Sequence, residues 1–130
     1  MVSPLPGEGW PNKRHDLSSL PERVRRHLTE LARRRETITY RDLAAKLDVQ
    51  PPSTIHQVAN ALEVLMREDH ENGAPFLAAL VVSKVRQGLP APAFFSFALS
   101  LGRFIASDTG PEPRTWHASQ LKSAWDFWGR

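Results

Sequence analysis

Apolar positions recur every three or four residues in several stretches of this chain, and cap or breaker residues bound each stretch. Leu17, Leu20, Val24, Leu28 and Leu31 share one face of a predicted first helix. Ser19 and Glu22 stand at the S-x-x-E spacing that satisfies the exposed N–H groups of a helix start. Arg33, Arg34 and Arg35 close this helix, where cations offset its dipole. Thr37, Ile38 and Thr39 are β-prone and predict a very short strand. Thr39 then caps a short second helix marked by Leu43, Ala44 and Leu47. Pro51 and Pro52 break the chain before the clearest element, a third helix. There Ile55, Val58, Ala59, Leu62, Leu65 and Met66 share a core-facing stripe, Thr54 and Gln57 repeat the capping-box spacing, and Asn72 and Gly73 supply the stop.

From Phe76 to Val85 the run is too uniformly apolar for a solvated strand, and it predicts a central or well-covered one. Gly88, Pro90 and Pro92 interrupt it and argue against a long return strand. Pro92 suits the first turn of a fourth helix holding Phe94, Phe95, Phe97, Ala98, Leu99 and Leu101, with Gly102 at its end. A loop around Asp108 to Pro113 leads to a last helix with Trp116, Leu121, Trp125 and Trp128 roughly on one side. The expected fold is mainly α: a winged-helix-like helix-turn-helix domain with a small β component and additional C-terminal helices. Residues 1–16, with Pro4, Pro6 and Pro11 and no periodicity, read as a flexible N-terminal arm, and 17–130 as the single domain.

At 130 residues, 41% of them hydrophobic, the chain suffices for one core. It has no cysteine, which removes disulfides, thiolate nucleophiles and Cys-based zinc sites from consideration. No apolar run approaches the ~20 residues that span a bilayer, and no secretory signal pattern opens the chain. The expectation is therefore a cytoplasmic protein with no membrane association. The net charge of +3 is modest, but it is unevenly spread. Eight Lys and Arg between Lys13 and Arg35 face only Asp16, Glu22 and Glu30, whereas Glu63, Glu68, Asp69 and Glu71 outnumber Arg67 farther on. A local positive field of this kind suits an anionic partner.

Residues 37–62 resemble part of the C-terminal, winged-helix domain of the alkylguanine DNA alkyltransferases and alkyltransferase-like proteins. That family opens a helix with Thr-Tyr-Gly and follows it with an Arg-Ala-Val-Gly-x-Ala recognition helix. Thr39-Tyr40-Arg41 and His56-Gln57-Val58-Ala59-Asn60-Ala61 stand in comparable places. The family's Pro-Cys-His-Arg-Val strand has its nearest counterpart in Val81-Val82-Ser83-Lys84-Val85. Val82 falls at the nucleophilic cysteine, and its carbons cannot accept an alkyl group. His56 replaces the family's arginine, and Arg41 and Ala59 replace glycines. The resemblance therefore implies architecture rather than activity, and repair by alkyl transfer is excluded.

With the core side of the third helix set, His56, Gln57, Asn60 and Glu63 face outward. Gln and Asn amides match adenine edges, and His donates to phosphate or base. Arg23 and Arg26 of the first helix form a basic stripe suited to phosphate, and Lys84 and Arg86 approach the third helix in a winged arrangement. The expected nucleic-acid-binding set is Arg23, Arg26, Tyr40, Arg41, His56, Gln57, Asn60, Lys84 and Arg86, with double-stranded DNA as partner. No catalytic residue, metal site or cofactor is expected. Asp69, His70 and Glu71 are adjacent helical residues pointing in different directions and predict a solvated helix end. His15, His27 and His117 lack ligand spacing, and Ser83 and Lys84 project to opposite faces of a strand. No phosphate-cradling glycine loop or paired-carboxylate signature appears. The function expected is non-catalytic DNA binding, regulatory or accessory to DNA processing. The competing expectation is a protein-interaction module or inhibitor, of phage or defence type, which uses the C-terminal aromatics for a protein partner or for self-association.

Overall fold

The computed structural model describes residues 18–104 and 112–130, so the expected N-terminal arm and most of the 108–113 loop lie outside the described residues. The described chain is mainly helical. The order is α1 (Leu20–Arg33), β1 (Ile38–Thr39), α2 (Tyr40–Lys46), α3 (Thr54–Glu71), β2 (Val81–Val82), α4 (Pro92–Ser100) and α5 (Glu112–Trp128).

Local chemistry accounts for several boundaries. Ser19 Oγ accepts from the Glu22 N–H, and the Glu22 carboxylate accepts from the Ser19 N–H at 2.8 Å, which completes the capping box that starts α1. Thr39 Oγ1 accepts from the Asp42 N–H at 3.1 Å and starts α2. Asn72 ends α3, and Gly73, at φ 67°, takes the left-handed turn that follows. Pro92 opens α4. The start of α3 departs from the expectation. Its N-cap is Ser53, itself left-handed at φ 60°, and no side chain caps the helix. Gln57 turns instead toward the preceding chain. Ile55, expected in the core, is 45% exposed on the first turn. α5 begins at Glu112, so the last residues of the expected loop are helical.

The expected long central strand is a different object. Phe76 to Val81 is fully buried, but Leu77–Leu80 forms a 3-10 turn and only Val81–Val82 is extended. An uninterrupted apolar run without alternation does not by itself distinguish a strand from a buried helical turn, and Ala78 and Ala79 favour the latter. This segment is the centre of the molecule, with α1, α3 and α5 packed around it. Val24, Leu28, Leu43, Val58, Leu65 and Phe76 lie at 0% exposure within one continuous core. Phe94, Phe95, Phe104 and Trp116 form an aromatic layer beside it, with Phe104 and Trp116 centroids 4.6 Å apart. The C-terminus of α5 comes close to α1. A Cβ on Gly129 would stand 2.6 Å from the Ala32 carbonyl oxygen.

Among the described residues the sheet consists of β1 and β2, parallel, with Ile38 opposite Val81 and Thr39 opposite Val82. In place of a second wing strand, a single antiparallel bridge joins Ser83 to Leu89, and a 3-10 turn, Lys84–Arg86, lies between them. No helix among the described residues is long and apolar enough to cross a membrane.

Candidate nucleic-acid interface

The parallel pairing of β1 and β2 sets the geometry. Past Thr39 and Val82 the two chains leave the sheet at the same end, on strands spaced about 4.8 Å apart. Arg41 and Lys84 each lie two residues beyond that last pair. Tyr40 fastens this end: its hydroxyl accepts from the Ala91 N–H at 3.0 Å, which ties the start of α2 to the chain leaving the Ser83–Leu89 turn. Burial pushes the Tyr40 phenol above its ordinary value, outweighing the Ala91 N–H and the nearby Arg86 charge. Tyr40 also lines a small cavity of about 30 Å³ with Ala59, Glu63 and Phe94, so this flank of α3 adjoins the same end of the sheet. His56, Asn60 and Glu63 follow one another at helical spacing along the outer side of α3, and His56 and Asn60 are exposed.

The residues expected to contact nucleic acid divide into two groups. Arg41, His56, Asn60 and Lys84 are exposed, and among the described residues their side chains make no hydrogen bond, ion pair or ring contact. The others serve the fold. Gln57 Nε2 donates to the carbonyls of Gln50 and Pro52, each at 2.8 Å, and clasps the turn between α2 and α3. Arg23 donates to the Leu47 carbonyl at the end of α2. Arg86 donates to the Pro90 carbonyl at 2.6 Å and lies over the Phe95 ring. Tyr40 is the tether already described.

Arg26 has a different set of neighbours. It donates to Ser18 Oγ at 3.0 Å and lines a wide groove of about 800 Å³ between α1 and α3, with Arg25, Arg33, Val64 and Glu68. At 100° per residue, Val64 and Glu68 lie on the flank of α3 turned away from Ala59 and Glu63. Arginines of α1 and of the turn after it are drawn into internal pairs, with Arg25 on Glu68 and Asp69 at 2.9 Å, Arg33 on Glu30 at 2.8 Å and Arg35 on Asp126 at 2.9 Å.

Lys46 escaped the sequence reading. Its i, i+4 spacing to Asp42 suggests a pair, but none forms, and Lys46 faces solvent near His27 and Arg34 at the far end of α2. Burial, together with the charges of Lys46 and Arg34, lowers the pKa of His27. Among the described lysines and arginines, only Arg41, Lys46 and Lys84 lack a side-chain partner.

Asp69 corrects the expectation of a solvated helix end. It is 1% exposed and accepts from the Leu77 N–H at 3.1 Å and from Arg25 at 2.9 Å, which joins α3 to the central 3-10 turn and to α1. Burial raises its pKa, against the lowering effects of the Leu77 N–H and Arg25. His117 is buried with its Nε2 2.9 Å from the Ala79 carbonyl oxygen, and burial holds its pKa below the ordinary value. A neutral ring donating from Nε2 fits that contact. Among the described residues, no three His, Cys, Asp or Glu side chains converge as a metal site. The C-terminal tryptophans are half-buried. Their indole N–H groups donate to the Glu36 carbonyl from Trp125 and to the Pro75 carbonyl from Trp128, while Phe127 is exposed.

Comparison with known protein families, with characterised proteins and with solved structures finds no match to this chain.

Proposed function

We propose that this protein binds duplex DNA without catalysing a reaction on it, as a winged-helix-like module that is regulatory or accessory to DNA processing. The observation that supports this is the sorting of its cations. Most arginines are held by internal partners, whereas Arg41 and Lys84, each two residues past the last paired position of the sheet, are exposed and unpaired. In this reading α2, the Gln57-clasped turn and α3 form the helix-turn-helix, and the Ser83–Leu89 turn takes the place of the wing. Arg41 and Lys84 bind phosphates, while Asn60 and His56 reach base edges. Glu63, farther along the same face, limits how deeply α3 enters the groove. The resemblance of residues 37–62 to the alkyltransferase winged helix supports the same architecture.

The test is fluorescence anisotropy on a mixed-sequence duplex across a salt series. Affinity is expected to fall steeply with salt, because neutralised phosphates release counterions. Arg41→Ala and Lys84→Ala should each make the salt slope shallower by about one, while Arg26→Ala leaves it unchanged. Absence of binding at low salt by folded protein overturns the proposal. The protein-interaction alternative, for which exposed Phe127 and Leu99 speak, would then lead.

A further inference from the structure

Val85 is 90% exposed, whereas the other exposed large apolar residues, Phe127, Ile55 and Leu99, lie between 36% and 50%. A single exposed apolar residue on a loose loop would call for no explanation. This one is held out on a braced turn. The Ser83 N–H donates to the Leu89 carbonyl at 2.7 Å, and the Gly88 N–H donates back to Ser83 at 3.3 Å, closing the base. Within the turn the Arg86 and Gln87 N–H groups donate to the carbonyls of Ser83 and Lys84, each at 3.2 Å. Gln87 and Gly88 reverse the chain at φ 57° and 87°. Two further contacts hold the turn to the body of the protein. Arg86 folds its guanidinium back onto the Pro90 carbonyl and over Phe95, and Tyr40 Oη holds the Ala91 N–H. With Arg86 folded back, the tip presents Lys84, an unpaired cation, and Val85 beside it.

We infer that Val85 is an apolar wedge that enters a DNA base step beside the phosphate held by Lys84, so that the protein prefers duplex whose stacking is already weakened. This inference rests on the duplex-binding reading and names the form of duplex recognised. An apolar side chain pressed into a stack must unstack the bases, and a mismatched step has lost part of that stacking in advance. The braced turn supplies the rigidity a wedge requires, and the adjacent lysine supplies an attraction that brings the tip to the backbone.

The experiment compares binding of a perfectly paired duplex with that of the same duplex carrying one central mismatch. A 2-aminopurine beside the mismatch reports unstacking. The wild-type chain is expected to favour the mismatched duplex by about tenfold and to raise the 2-aminopurine fluorescence. Val85→Ser should bring the two affinities together with little change on the perfect duplex, and Val85→Leu should keep the preference. Because the side chain is almost wholly exposed, neither substitution disturbs the core. Equal wild-type affinities for the two duplexes, or an unchanged preference in Val85→Ser, overturn the wedge but leave duplex binding standing. Failure to bind either duplex overturns both. If Val85→Ser instead changes sedimentation of the free protein while the duplex ratio stays the same, the tip belongs to a protein contact and the wedge is overturned.

Discussion

In the C-terminal half of α3 most polar side chains are engaged by other elements, Glu71 excepted. Glu68 and Asp69 meet Arg25 of α1, and Asp69 also accepts from the central 3-10 turn. Arg67 lies over Phe97 of α4, and His70 stands 3.5 Å from Arg103. In the N-terminal half, His56 and Asn60 touch no such partner among the described residues, and only Gln57 is drawn inward. One helix therefore divides its polar residues between holding the fold and facing outward. Of the carboxylates at this end, Glu68 and Asp69 are turned toward α1, while Glu71 stays exposed.

The most severe way to break this contrast is at Asp69. Asp69→Ala leaves the buried Leu77 N–H without its acceptor and takes from Arg25 its buried carboxylate, leaving it only Glu68, and should cost about 3 kcal/mol of stability. Urea denaturation measures it. Asp69→Asn, which keeps an acceptor for Leu77, should lose about 1 kcal/mol. Duplex affinity per folded molecule should stay the same in both. An affinity loss matching the stability loss would dissolve the distinction between the two halves.

Next in size is Gln57→Ala, which frees the Gln50 and Pro52 carbonyls and should cost about 1 kcal/mol. Its effect on binding should follow from loosening of the turn and be alike for different DNA sequences. The mirror-image result is expected at His56→Ala and Asn60→Ala. Thermal stability should change by less than about 0.5 kcal/mol, since both side chains are exposed and unpartnered. Asn60→Ala should reduce discrimination between duplex sequences, as an amide reading a base edge requires.

The pH dependence of stability separates the two buried polar groups of the core. His117 is neutral in the fold with a lowered pKa, so the unfolded chain takes up a proton first, near pH 6.5. Its contribution is complete above that pH and is lost as pH falls toward the folded value. Asp69 has the opposite sign. Its folded pKa is raised, so its contribution is greatest while the carboxyl is protonated and weakens as pH rises from the ordinary Asp range through the folded value. Stability should therefore decline between pH 7 and pH 6 through His117, with His27 adding in the same direction. His117→Gln should flatten that decline in denaturant titrations at stepped pH.

Much of the helical frame was legible because its signals are local. Ser19 with Glu22, Thr39, Asn72 with Gly73, and Pro92 act within one turn of themselves, and each marks a boundary where expected. The candidate site was legible only in part. Exposure of His56 and Asn60 follows from helical spacing, but Arg23, expected beside them, is drawn to the Leu47 carbonyl. Gln57 shows the same limit: a capping-box spacing was present, yet two carbonyls of the preceding turn offered its amide better partners.

The sequence by itself determined that the chain is mainly helical, most of the helix boundaries, and most of the inward stripe of α3. Those follow from the 3.6-residue period and from hydrogen bonds closed within three or four residues. Tertiary structure alone decided three things. It coiled Leu77–Leu80 into a 3-10 turn rather than a strand, because burial on every side left the apolar run without a periodic preference. It buried Asp69, because Arg25 and the Leu77 N–H arrive from elsewhere in the chain to compensate it. And it chose which cations remain unpaired, since the pairing of Arg25 with Glu68 joins residues 43 positions apart. Charge is written in the sequence, but its availability depends on which side chains the fold brings within reach.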